Sequence, residues 1–357
     1  MTEAQSKKRL LILGSGFSKA VSDKMPVVRE LADALKKQIK EDPELKDLED
    51  PKYQHLLNDP ELLLTYLAQD QPWKEPWEAP KEWAVFLKIS KWLAGYIQDC
   101  EAKAFKQNDD LIPTWKPLAS WLHQTRTPVI TFNYDTVLER ICYHSDERLD
   151  CYCLYNIPLS TIFLREAGTF GGDWKDTFCL IKLHGSINWF YSGVEQFPGE
   201  QIYFRNVDKM SPDDDMVDED EAAQDSGSSK KDIERLLSDK VALIIPPVAE
   251  KSRFYANQTI RSLWSKAREY LKAAEEIYVV GYSLPDTDLT TKLLLQTACT
   301  GQPKTVYIVN NDEEGKNNLL RRYHDAFPQE TNFKDDYIRS NAVEAMVKDL
   351  CKEEALC

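Results

Sequence analysis

A chain of 357 residues, with 42% apolar and 29% charged residues, has room for one large domain carrying insertions or for two smaller ones. Its formal charge of −14 argues against an autonomous nucleic-acid binder, and the short apolar run Leu10–Leu13 near its start falls far below the length of a signal-peptide core or a membrane span. Eight cysteines scattered without framework spacing are the pattern of reduced thiols, so a cytoplasmic protein is expected.

The first predicted element is a strand over Arg9–Leu13, a run too short and too uniformly apolar for an amphipathic helix. From residue 41 to about 125 no strand candidate occurs. Instead Val85, Phe86, Ile89, Trp92, Leu93, Tyr96 and Ile97 follow the i, i+3, i+4, i+7 rule of a half-buried helix. Further strands are expected at Pro128–Phe132, Phe178–Leu183, Val241–Ile245, Glu276–Val280 and Thr305–Val309. A helix through Ile260, Leu263, Trp264, Ala267, Leu271 and Ala274 precedes the Glu276 strand, and Thr136 with Glu139 has the spacing of a helix capping box. A last helix carries Val343, Met346, Val347 and Leu350, an apolar stripe that needs a surface to cover. Short apolar strands alternating with helices predict an α/β fold, a Rossmann-like doubly wound parallel sheet. Residues 1–40 and 126–357 would form its core and residues 41–125 a helical insertion, all in one domain. Residues 208–225 hold nine acids and one base, and the segment 208–231 reads as an acidic flexible loop.

Candidate chemistry gathers where strands end, which is where open parallel sheets bind ligands. Gly14-Ser15-Gly16-Phe17-Ser18 follows the first strand, with two glycines that let a backbone approach a pyrophosphate. The third glycine and the distal acid of the dehydrogenase fingerprint are missing, which disfavours hydride transfer. Thr131-Phe132-Asn133-Tyr134-Asp135 closes the second strand, and Lys182-Leu183-His184-Gly185-Ser186-Ile187-Asn188-Trp189 closes the third. Gly281-Tyr282-Ser283-Leu284-Pro285-Asp286-Thr287-Asp288 follows the Glu276 strand, and Asn310-Asn311-Asp312 follows the Thr305 strand.

In order and spacing, these motifs over residues 10 to about 315 resemble the sirtuin-like family, and within it the bacterial branch of NAD-hydrolysing antiviral defence proteins. The family's Gly-Ala-Gly-x-Ser loop corresponds to Gly14–Ser18. Its Gly-Ile-Pro-Asp-Phe-Arg is similar to Lys24-Met25-Pro26-Val27-Val28-Arg29, which keeps the proline and the arginine. Its Thr-Gln-Asn-Ile-Asp corresponds to Thr131–Asp135, its catalytic His-Gly to His184-Gly185, and its Gly-Thr-Ser-Leu to Gly281–Leu284. Protein-deacylating members carry two Cys-x-x-Cys pairs on a zinc module. This chain has no such pair, and Cys151-x-Cys153 with Cys179 is a poor substitute, so neither a zinc ribbon nor a bound metal is expected.

The resemblance implies that NAD is the substrate, cleaved at the nicotinamide–ribose bond with water as acceptor. His184 would be the base, Asn133 would hold ribose and water, and Asp135 would orient loop and ribose. Gly14, Ser15, Gly16, Phe17, Ser18, Arg29, Gly281 and Ser283 would surround the cofactor, and Asn310 its adenosine ribose. An enzyme that drains NAD must be gated, so a homo-oligomer is expected, with the tryptophan-rich insertion as a candidate contact; the resemblance adds a HerA-type ring ATPase as partner, while charge and the absence of a long apolar run predict no direct nucleic-acid or membrane binding. Two alternatives stand beside hydrolysis: an NAD-dependent protein deacylase or ADP-ribosyltransferase, and a non-catalytic NAD or ADP-ribose sensor.

Overall fold

The computed structural model describes residues 8–69, 71–106, 111–155, 159–161, 175–192, 200–207, 240–245 and 255–355. The expected acidic loop, 208–231, lies outside them. In chain order the elements are β1 (Arg9–Leu13), α1 (Ser15–Val21), α2 (Val28–Glu41), α3 (Pro60–Ala68), α4 (Glu78–Lys106), α5 (Leu111–Thr125), β2 (Val129–Thr131), α6 (Val137–Tyr143), α7 (Cys151–Tyr155), β3 (Ser160–Thr161), β4 (Leu180–Lys182) and β5 (Gly185–Tyr191). They continue with β6 (Tyr203–Phe204), β7 (Val241–Ile244), α8 (Gln258–Ala273), β8 (Glu276–Val280), α9 (Leu289–Ala298), β9 (Thr305–Val309), α10 (Lys316–Ala326), β10 (Asn332–Lys334) and α11 (Ala342–Ala355).

Six strands form one sheet in the order β10-β9-β8-β1-β2-β4, and every pairing in it is parallel. The fold is thus a Rossmann-like, doubly wound α/β sheet. Successive strands first step from β1 to one side and later return to its other side, so the strand order reverses between β1 and β8. A crevice opens at such a switch point. The apolar runs of β1, β2, β4 and β8 are buried along nearly their whole length, which explains why they show no alternation.

One strand expectation fails. Val241–Ile244 belongs not to the parallel sheet but to a second sheet of order β3-β6-β5-β7, where it pairs antiparallel with β5. Its apolar character comes from packing against α4, which covers this small sheet. The chain passes from one sheet into the other at Leu183-His184, and Gly185 turns the corner with φ +78°. A Cβ at Gly185 would stand 2.1 Å from the Leu243 carbonyl oxygen, so only glycine fits there.

Helix α4 buries one face, Glu82, Phe86, Ile89, Ser90, Leu93, Ile97, Cys100, Glu101 and Ala104, at the spacing the sequence implied. It is 29 residues long, yet among the described residues no helix is apolar enough to cross a membrane. The apolar stripe of α11 is covered by the protein's own α5, α1 and β9, with Val343, Met346 and Leu350 buried. The capping box does not form. Thr136 caps α6 without a side-chain bond, its hydroxyl instead donating to Glu101 at 2.8 Å, while Glu139 accepts from Lys182 and Tyr155.

Candidate active site

Backbone bonds knit together the loops after β1, β8 and β9. Gly14 N–H donates to Val280 O, Gly16 N–H to Gly281 O, and Gly281 N–H to Val309 O, all at 2.8–2.9 Å. A Cβ at Gly14 would lie 2.5 Å from the Tyr282 Cα, and one at Gly16 2.7 Å from the Gly281 Cα. The Cβ side of both glycines therefore faces the neighbouring strand end. Their bareness makes room for Gly281 and Tyr282, and Gly14 also lines the cleft described below.

Beside this junction, Asn133 extends from the end of β2. Its amide Nδ2 donates to Gly14 O and to Ser18 Oγ, both at 3.0 Å, which uses both amide hydrogens and leaves Oδ1 as its acceptor for an incoming group. Ser18 passes its own hydrogen to Asp135 Oδ2 at 2.7 Å, and Asp135 Oδ1 accepts from Val137 N–H at 3.2 Å. Ser18 is buried, so it acts as a link between Asn133 and Asp135 rather than as part of the wall. Burial, followed by the nearby Glu101 carboxylate, pushes the Asp135 carboxyl up to about 7, against the opposing pull of Lys182 and of the Ser18 hydroxyl.

The Asn133–Asp135 loop is fixed from beneath by buried charges. Lys182 Nζ donates to Asp135 O and pairs with Glu139 at 2.8 Å. Glu139 also accepts from Tyr155, which bonds Asn188, and Ser186 joins Asn188 to Tyr134 O. On the other flank Glu101 accepts from Thr136 N–H, from the Thr136 hydroxyl and from Arg140 Nε. Such networks are costly to bury, but fully partnered they hold a loop in one geometry.

His184 stands at the corner between the two sheets, 3% exposed. Its Nε2 lies 3.5 Å from Asp288 Oδ2. Asp288 caps α9 and is fully buried, with Oδ2 accepting from the Tyr282 and Thr291 hydroxyls, each at 2.7 Å. Burial and the adjacent Asp288 raise the Tyr282 phenol well above its ordinary range, so it remains a neutral donor. Phe132 stacks on the Tyr282 ring at 4.4 Å and leans on the imidazole at 5.0 Å. The imidazole thus has the Phe132 ring against it, the Tyr134 ring at 6.5 Å and a carboxylate facing it.

A cleft of about 680 Å³, its open mouth included, runs over these groups. Gly14, Ser15, Asn133, Asp135, His184, Ser283 and Asp288 give it polar points, and Met25, Pro26, Val28, Leu31, Ile97 and Phe132 give it an apolar wall. Of the residues singled out in the sequence, Gly16, Ser18 and Gly281 stand behind the wall. Phe17 is buried in the core against Trp115, Arg29 is exposed on the first turn of α2, and Asn310 pairs with Ile338, so none of these three lines the cleft. The sequence reading missed Asp288, Tyr282 and Tyr134 as site residues. Asp288 stood in the quoted motif, but an aspartate four residues after Leu284 reads as a helix cap, which it also is. Cys151, Cys153 and Cys179 are buried, and among the described residues no group of three or more His, Cys, Asp or Glu side chains is placed to hold a metal.

These features define an open α/β sheet with a polar cleft at its switch point. No family model and no curated protein matches the chain. Among solved structures it is similar to a Sir2 homologue in complex with NAD, 14% identical with a TM-score of 0.46, over 99% of this chain and 92% of that one. It is also similar to a serine variant of a Sir2 homologue bound to ADP-ribose, at 13% identity and a TM-score of 0.42, over 99% of this chain and 94% of that one. A third is Sir2Tm bound to a propionylated peptide, at 12% identity and a TM-score of 0.34, over 99% and 95%.

Proposed function

We propose that this protein binds NAD and hydrolyses its nicotinamide–ribose bond. The observation that carries the reading is the convergence of Asn133 Oδ1, Asp135 and the His184–Asp288 pair on one cleft with an apolar wall. The pyridinium ring of NAD is cationic and leaves as neutral nicotinamide, so a wall of Met25, Pro26, Val28, Leu31 and Phe132 favours the product of bond breaking over the reactant. Positive charge moves to the ribose, whose oxocarbenium-like transition state is that of glycoside hydrolysis generally. The C1′–N bond breaks with its electron pair going to the ring nitrogen, and a water oxygen bonds to C1′. Asn133 Oδ1 orients that water by accepting one of its hydrogens. His184 takes the other proton, and Asp288 stabilises the imidazolium that results. The balance is NAD⁺ and water to nicotinamide, ADP-ribose and one proton.

The resemblance noted from the motifs gives this reaction a place in antiviral defence, with NAD depletion as its outcome. The test is to incubate the purified protein with NAD alone and follow nicotinamide and ADP-ribose by chromatography. Equal release of both, abolished in His184→Ala, is the expected result. Intact NAD overturns the reading. Nicotinamide released only after an acylated peptide is added replaces it with acyl transfer.

A further inference from the structure

The cleft is divided by the origin of its walls. Its polar points stand on the segments that leave β1, β2, β4 and β8, whereas its apolar wall comes mostly from the α1–α2 connection, α2 and α4. Met25 and Pro26 lie in that connection, Val28 and Leu31 on α2, Ile97 on α4, and Phe132 closes the row beside the His184 ring. None of these six side chains carries a nitrogen or an oxygen. The wall is deep at Met25 and Phe132, 1% and 7% exposed, and reaches the mouth at Val28, 39% exposed. The polar side chains nearest to it in sequence turn back into their own loop. Ser22 Oγ accepts from Lys24 N–H at 3.3 Å, and Glu30 accepts from Val27 N–H at 2.9 Å and from Lys19 at 2.8 Å. Neither Ser22 nor Glu30 lines the cleft. The backbone is engaged in the same way: Met25 N–H donates to Ser22 O and Leu31 N–H to Val27 O, both at 3.0 Å, and Pro26 has no N–H.

We propose that, on the NAD-cleaving reading above, this wall is the leaving-group site and selects its occupant by the shape of a flat ring, not by the carboxamide on that ring. The substrate class is then adenine dinucleotides that carry a pyridinium ring on ribose, of which NAD is one member. With Asn133, Asp135 and His184 engaged by ribose and water, Phe132 leads from the reacting carbon onto the wall. There the ring is covered by apolar groups, and the hydrogens of a carboxamide meet no side-chain acceptor. Such a pocket discriminates weakly. A change of methyl size alters kcat/KM by about 10- to 200-fold in an apolar site, whereas a site built to hydrogen-bond a substrate N–H rejects the analogue lacking it by about 10,000- to 100,000-fold. The two ranges do not overlap, so the two kinds of site are separable by rate. The balance of the step is that of NAD. The C1′–N bond breaks with its electron pair going to the ring nitrogen, and a water oxygen bonds to C1′. The products are ADP-ribose, the neutral pyridine and one proton.

The probe is 3-acetylpyridine adenine dinucleotide, which keeps the ring, its charge and its carbonyl oxygen but has a methyl group in place of the amide NH2. The purified full-length protein is given this compound and NAD in parallel. Chromatography of the released base and of ADP-ribose gives kcat/KM for each. The two values should lie within about 200-fold of each other. A wider gap, with NAD cleaved and the acetylpyridine compound rejected, overturns this inference and leaves hydrolysis of NAD standing. Both compounds left intact overturn hydrolysis and this inference together. Leu31→Gln assigns the effect to this wall, because Leu31 is half-buried and glutamine of similar size brings an acceptor for the amide. In that variant, folded by circular dichroism, the ratio should shift toward NAD by about tenfold. An unchanged ratio places the ring elsewhere and overturns the assignment.

Discussion

Gly281 offers the sharpest test of the strand-end junction, because two other glycines separate its two costs. Its φ of +63° strains any residue with a Cβ, and a Cβ there would stand 2.2 Å from Phe17 N and 2.4 Å from Gly16 C. Gly301 shares the first cost, with φ +95°, but a Cβ there meets nothing within 4 Å. Gly95 shares neither, being an open helical position on α4. Left-handed strain costs about 1–2 kcal/mol, and forcing a methyl between two backbones adds about 1–3 kcal/mol. Gly281→Ala should therefore lose roughly 2–5 kcal/mol, Gly301→Ala roughly 1–2 kcal/mol, and Gly95→Ala should gain about 0.5–1 kcal/mol. Urea denaturation of the three variants, with melting curves in parallel, gives the order directly. Gly281→Ala as mild as Gly301→Ala would refute the close junction of the β1 and β8 loops.

Further expectations follow from the same contacts. Asn133→Ala should cut NAD cleavage by ~100- to 10,000-fold, as His184→Ala should, with both proteins folded; chromatography and circular dichroism check the pair. Asp288→Asn can keep the cap of α9 but removes the charge facing His184 and sets an amide N–H against the Tyr282 and Thr291 hydroxyls, so turnover should fall by ~10- to 100-fold and stability by about 1–3 kcal/mol. The Asp135 carboxyl, raised from 3.8 to about 7, keeps its proton in the folded state at pH values where the unfolded chain has lost it. Stability should therefore fall as pH rises from about 4 through 7 and then level off. Asp135→Asn should flatten that part of the profile relative to wild type in urea midpoints taken at each pH. Glu101→Gln leaves Arg140 buried without its carboxylate, which should cost about 3–5 kcal/mol, read in the same denaturation assay.

The main strands were legible because each is buried on both faces, and β1, β8 and β9 run over the residues their apolar runs marked. The same uniformity hid the second sheet. A strand clamped beneath α4 is as apolar as one in the centre of a parallel sheet, so Val241–Ile244 carried no mark of its partner. Asn133, Asp135 and His184 could be read from their strand-end motifs. Their supports could not: Glu101 reaches Thr136 from 35 positions away, and Lys182 reaches Glu139 from 43. Thr136 and Glu139 had the spacing of a local cap, yet buried partners from distant elements claimed both side chains. Arg29 and Asn310 matched a pattern in sequence, while the path of the backbone keeps them off the cleft wall.

Helix α4 carries Glu82 near its start and Glu101 near its end, both on the buried face. The first pairs with Lys74 of the 71–78 connection between α3 and α4, and the second grips the loop of Asn133 and Asp135 through Thr136. At 1.5 Å per residue the two carboxylates stand roughly 28 Å apart along a stiff rod. Each is locked in height and in angle. Inserting or deleting one residue between them would swing one carboxylate about 100° around the axis and leave its partners stranded in the interior. The length of this helix is therefore a fixed dimension of the molecule, and viable insertions and deletions should be absent between residues 82 and 101.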